Sequence, residues 1–328
     1  MLTKYRLHQM IPFPKTPMQL RMAMMSALIF LTVVGYDVMR GMKKTIILTS
    51  STAGAAYIPF VKTTLVMPGS VLIGALYLFL RHRYGITTAY YLITSAFLAY
   101  FLLFTYYLSP NLALVTPSPQ WLQALQTAFP HFRFLIGLIA IWPIAFYYVA
   151  AELWGTYTLV VLFWQIAHEL YTTNEASVAY PTFLFVRSIS IIIASFTLEW
   201  LSLADHPLQT CTLTICTLGI LMMGIVFLLD RLFKLNTHST TARSAPLSSK
   251  KKSTTLTESL QLTFASPQVL HLGICLFSFG MLVNFFELSF DHTLSLHHST
   301  PQALLAFQSW FTRAKGILCI LANLVSPF

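Results

Sequence analysis

Several charged side chains lie inside or directly against stretches otherwise apolar enough to exclude them. Arg40, Lys43 and Lys44 follow the first apolar run, Lys62 falls in the second, Glu152 in the fourth, Arg187 in the fifth and Glu287 in the seventh. An ionised group at the centre of a lipid-spanning helix costs roughly 2.5–3.5 kcal/mol on insertion scales, so such residues face a bundle interior or water. Arg40 stands three residues before Lys43 and four before Lys44, a spacing that puts all three on one helix face. Such a face suits a polyvalent anion, with the lysines as point charges and Arg40 able to bind bidentately. Glu152 and Glu287 lie deepest in their runs; they either pair with these cations in an empty site or titrate during transport. On residue types alone, the anion is equally an organic phosphate, a dicarboxylate or a nucleotide. Asp37, one turn before Arg40, is placed to pair with it in part. Asp291, just past the seventh run, reads as interfacial, and Arg313 and Lys315 as lying near a helix end.

These residues need lipid-spanning elements to position them, and the composition supplies these. Of the 328 residues, 56% are hydrophobic and 9% charged, against about 25% charged in an average soluble domain. A membrane-crossing helix takes about 20 mainly apolar residues. Runs of that kind cover 23–38, 57–80, 87–108, 134–167, 180–201, 210–229, 267–290 and 303–324. They predict an all-α integral membrane protein of about eight spans. Continuous apolarity over such lengths excludes barrel strands, which alternate over about ten positions. The first run is short unless the helix continues to Leu48 and carries Arg40, Lys43 and Lys44 within it; the other reading ends it at Met39 in a wet loop. The 134–167 run, with Pro143 and Glu152 inside it, reads as one kinked helix with an interfacial lead-in, or as two spans. Cys211, Cys216, Cys275 and Cys319 sit in apolar runs as small apolar residues, without metal-ligand spacing.

The formal net charge of +10 is a topology signal here, since the basic residues gather between the runs. Lys4, Arg6, Lys15 and Arg21, then Arg81 and Arg83, then Arg231, Lys234, Arg243 and Lys250 to Lys252 all fall on one side of alternating spans. That side is the cytoplasm by the positive-inside rule, which puts the N-terminus inside. No basic–aromatic groove for nucleic acid is present. The partners expected are the lipid bilayer and an anionic solute. A Ser/Thr/Lys segment at 236–261 reads as a flexible cytoplasmic linker between a six-span bundle, 1–235, and the first two spans of a second bundle, 262–328. His292, His297 and His298 form no metalloenzyme motif, so neither catalysis nor a metal or cofactor is expected.

Four segments resemble the ATP/ADP translocase family of obligate intracellular bacteria and plastids. The family's N-Y-x-x-L-R-D-T-K-D-T-L is matched by Gly35-Tyr36-Asp37-Val38-Met39-Arg40-Gly41-Met42-Lys43-Lys44-Thr45-Ile46. Its G-A-E-x-I-P-F-x-K is matched by Gly54-Ala55-Ala56-Tyr57-Ile58-Pro59-Phe60-Val61-Lys62. The F-Y-V-x-A-E-L-W-G pattern is similar to Tyr147-Tyr148-Val149-Ala150-Ala151-Glu152-Leu153-Trp154-Gly155, and N-L-V-E to Asn284-Phe285-Phe286-Glu287. The resemblance implies a major-facilitator-like exchanger of two half-bundles in a bacterial inner membrane, taking ATP, ADP or a related nucleotide. It implies transport roles for Lys43, Glu152 and Glu287, with Arg40 beside them. Gly41, Lys44 and Ala56 replace family acids and make the region more positive. Four family spans are not found in this sequence, so a non-transporting remnant or interaction protein is the alternative expectation.

Overall fold

The structure, a computed structural model, describes residues 17–50, 54–233, 235 and 267–325. The expected 236–261 linker, Lys4, Arg6, Lys15 and Lys234 lie outside the described residues. Eight long helices carry the fold, labelled α1 (Pro17–Thr49), α2 (Ala55–Tyr84), α3 (Ile86–Leu108), α4 (Trp142–Leu170), α5 (Thr173–Ser202), α6 (Pro207–Phe233), α7 (Pro267–His297) and α8 (Pro301–Val325). Among the described residues there is no strand. The seven from α1 to α7 are long and apolar enough to cross a membrane. The eighth has the length, at 25 residues, and packs into the same bundle along α5 and α1.

Short connections make neighbours of consecutive helices. Gly85 alone separates α2 from α3, and its φ of 88° lies in the left-handed region that side chains with a Cβ avoid. Thr172 and Glu175 form a reciprocal capping box at the start of α5, satisfying two of the amides that a helix start leaves open. Arg21 of α1 donates to the carbonyl oxygen of Leu170 at 2.6 Å and to Glu175 at 2.8 Å, pinning α1 to the α4–α5 junction.

The first helix is continuous from Pro17 to Thr49, so the wet-loop reading at Met39 does not hold. It is the central helix, packed against α4, α5, α6 and α8. The 134–167 run resolves into a short lead-in helix, Pro130–Ala140, and then α4, with the break at Ile141 just ahead of Pro143. Trp154 and Tyr147 of α4 sit edge-on to Phe101 of α3, and Trp154 also meets Phe97. This aromatic contact fixes the rotation of α4. Of the four cysteines only Cys211 is buried; Cys275 is exposed, because most of α7 stands clear of the described helices.

The α5–α8 contact relies on a small residue, as close helix pairs in membranes do. A Cβ on Gly316 would lie 2.7 Å from Ile192 Cγ1 and 3.2 Å from the Ile192 backbone nitrogen, which cannot rotate away. Gly224 of α6 has nothing within 4 Å of such a Cβ. We therefore expect Gly316→Val to destabilise the bundle by about 1–3 kcal/mol, seen as a lower unfolding midpoint in detergent. Gly224→Ala should leave that midpoint unchanged or slightly raised.

Candidate functional site

The C-terminal half of α1 carries a polar face into the bundle. Lys43 and Lys44 are buried and Arg40 half-buried. α2 presents Lys62 at the start of a wide, π-helical turn, Lys62–Val66, in which the Met67 amide reaches back five residues to the Lys62 carbonyl. Pro68 follows at once. It has no N–H to offer Thr64, and its ring would clash with that carbonyl in a regular helix, so the widened turn has a local cause.

Glu287 of α7 is the hub. Its Oε1 lies 2.7 Å from Lys44 Nζ and 3.4 Å from the Arg40 guanidinium, and its Oε2 lies 2.7 Å from Lys62 Nζ. One carboxylate is thereby shared by cations from two helices, α1 and α2. Lys44 also reaches Asp291 Oδ1 at 3.0 Å. Lys62 donates to Asn284 Oδ1 at 3.2 Å. Beside this group Lys43 forms an ion pair with Glu152 of α4 and lies 4.9 Å from the centre of the Tyr148 ring. Lys315 of α8 donates to Asp37 at 2.6 Å. The described cluster thus sets the cations Arg40, Lys43, Lys44, Lys62 and Lys315 against the carboxylates Asp37, Glu152, Glu287 and Asp291. It carries a formal excess of a single positive charge.

Of the residues singled out in the sequence, Arg40, Lys43, Lys44, Lys62, Glu152 and Glu287 come together. Arg187 does not: its side chain is exposed on α5, and it forms no ion pair among the described residues. Asp291 is enclosed within the protein. The seventh helix runs on past the apolar run to His297, which buries the Asp291 side chain against Lys44 at 1% exposure. Asp37 pairs with Lys315 rather than Arg40, and Arg313 and Lys315 lie in the middle of α8, where Arg313 pairs with Glu199 of α5. The signal for Asp291 and Lys315 was their charge beside or inside an apolar run. Nothing in sequence spacing links Lys315 to Asp37, 278 residues away.

A buried ion pair is costly to break, since the group left behind is a charge in low dielectric. Lys44→Met strands Asp291, and we expect it to cost about 3–5 kcal/mol. Adding Asp291→Leu should recover much of that loss, giving a coupling energy of about 0.5–3 kcal/mol in a double-mutant cycle. Simple additivity of the two losses in detergent unfolding would dissolve the pair as a unit.

A family model described as TLC ATP/ADP transporter matches residues 3–327. The chain is 30% identical over 305 residues to ADP,ATP carrier protein 1 of Rickettsia bellii, covering 90% of this chain and 60% of that protein. It is 28% identical to ADP,ATP carrier protein 4 of Rickettsia conorii over 299 residues, 87% of this chain and 58% of the relative. With ADP,ATP carrier protein 1 of Rickettsia conorii the identity is 27% over 315 residues, 92% and 61%. The chain therefore spans about 60% of the length of these relatives. No solved structure matches it.

Proposed function

The chain belongs to the TLC ATP/ADP transporter family, and from that premise we propose that it carries adenine nucleotides across a bacterial inner membrane. The phosphates bind at the cations of α1 and α2, and passage is by exchange of ATP and ADP through alternating access, without catalysis. The observation that carries this reading is the place of Glu287. Its carboxylate accepts from Lys44, Lys62 and Arg40 at once, as a phosphoryl oxygen does among lysines and arginines. Glu287 is the resident anion, and a nucleotide phosphate is its rival.

The charge balance supports the same mechanism. With the cations nearly matched by carboxylates, an incoming polyanion gains little until a carboxylate is released. Glu287 is the one whose release frees the most positive charge. Its departure also removes the one carboxylate that α1 and α2 share on α7, leaving Lys44–Asp291 and Lys62–Asn284 as the remaining ties, so binding and movement are coupled through this side chain. These ties lie toward the C-terminal end of α1. Toward the N-terminal end of α7, from Val269 to Phe286, every residue whose burial is described is exposed except Gly280. This arrangement fits two bundles flanking the 236–261 linker, held together at one membrane face and free to part at the other. With the N-terminus cytoplasmic, the tied face is the outer one. A transporter is favoured over a non-transporting interaction protein by the intact network, since a purely structural helix contact does not need so many paired charges in lipid.

The full chain, reconstituted in liposomes loaded with ADP, should take up labelled ATP saturably. Lys43→Ala should lower nucleotide affinity at least tenfold, the size of a 1.4 kcal/mol loss. Glu287→Gln should bind ATP at least as tightly as the natural chain yet exchange it more slowly. Absence of both binding and exchange in the unaltered chain overturns the transport reading, and loss of ATP binding in Glu287→Gln removes the rivalry.

A further inference from the structure

Beside the cation cluster, residues of α2 and α7 line a cavity of about 340 Å3. That volume lies within the range of small-molecule sites, which are mostly apolar with a few convergent polar groups. The cavity has this character. Lys62 and Glu287 form its polar end and belong to the cation cluster as well, so the cavity and the cluster adjoin through these two side chains. Its walls include the thioethers of Met67 and Met281 and the ring of Phe285, which is 62% exposed.

Two further features separate this cavity from an ordinary lipid-facing crevice. The widened turn of α2 begins at Lys62, and both Lys62 and Thr63 line the cavity. Asn284 puts a carboxamide into it as well. Its Nδ2 donates to the Gly280 carbonyl at 2.8 Å and its Oδ1 accepts from Lys62 at 3.2 Å. An Asn amide has two N–H donors and two acceptor lone pairs, so one of each remains for a ligand. That donor–acceptor pair is the complement of the N6/N7 edge of adenine. Thioether sulfur and an aromatic face are favourable neighbours for a heteroaromatic ring.

The geometry points to this cavity as the seat of the purine ring of a nucleotide whose phosphates occupy the cation cluster. Phe285 and the two methionines hold the ring by its faces, and Asn284 reads its edge. This assignment rests on the phosphate reading above and adds the element that distinguishes a nucleotide from any other polyphosphate.

The test compares ATP with inorganic tripolyphosphate, binding each to the full chain in lipid nanodiscs. ATP should bind more tightly than tripolyphosphate. Phe285→Ala should weaken ATP roughly tenfold, within the range lost when a stacked base loses its aromatic partner, and leave tripolyphosphate unchanged. Leu288→Trp, which fills the cavity, should exclude ATP and retain tripolyphosphate. Unchanged ATP affinity in Phe285→Ala overturns the assignment, as does equal affinity of the natural chain for the two ligands. Should Phe285→Ala weaken both ligands alike, Leu288→Trp decides: selective loss of ATP upholds the cavity, and any other result removes it. A natural chain that binds neither ligand fails at the phosphate cluster, and the purine seat falls with it.

Discussion

Charge compensation inside a low-dielectric bundle is the constraint from which the rest of this structure follows. A lysine or carboxylate taken from water into a membrane protein loses several kcal/mol of solvation, and only close, hydrogen-bonded counter-charges offset that loss. Lys44 is nearly enclosed between Glu287 and Asp291, and Lys43 is enclosed against Glu152 and the Tyr148 ring. Each pair joins different helices. The relative placement of α1, α2, α4, α7 and α8 is thus fixed by charge as well as by shape. Apolar packing between helices gains little from exclusion by lipid, so polar ties have a larger share in specifying the arrangement than they do in water.

The packing around this network keeps it in register. α1 lies at the centre, and the aromatic contact of Trp154 with Phe97 and Phe101 sets the face that α4 turns toward it. A Cβ on Gly155 would run into the Tyr36 ring, so close approach of α4 to α1 depends on the bare backbone there. On the other side, Gly316 lets α8 lie against Ile191 and Ile192 of α5. That contact carries Lys315 to Asp37. Small residues bring the backbones close, and the long charged side chains then span what distance is left.

Much of this was legible in the sequence because lipid makes charge conspicuous. Arg40, Lys43, Lys44, Lys62, Glu152 and Glu287 stood out by violating an apolar background, and the structure gathers all six. The i, i+3, i+4 spacing on α1 put Arg40, Lys43 and Lys44 on a common face. What could not be read was partnership across the fold. The apolar run ends before Asp291 and gives no sign of its burial against Lys44; a helix continues through polar residues when one of them finds a buried cation, and α7 does so to His297. Arg187 shows the converse. Its charge is as anomalous in sequence as that of Glu152, but its helix turns it outward, and a one-dimensional pattern with weak periodicity does not fix that rotation. The break at Ile141 and the wide turn before Pro68 were marked by prolines, whereas the contact of Lys315 with Asp37 had no local mark at all.

With Glu287 as the internal rival of a phosphate, the strength of the resting network sets how the proposed site responds to its ligand. A site competent to bind only when Glu287 has let go has an apparent dissociation constant raised by the inverse of the released fraction. Tight internal pairing therefore weakens apparent affinity. It also keeps the empty cluster nearly neutral, so an unloaded bundle has no strong electrostatic drive to open. A polyanion shifts that equilibrium only through its differential affinity for the released state, and several phosphate charges supply more of it than one carboxylate. Selectivity for polyphosphates over simple carboxylates then follows from competition with a carboxylate already in place, before any recognition of the base begins.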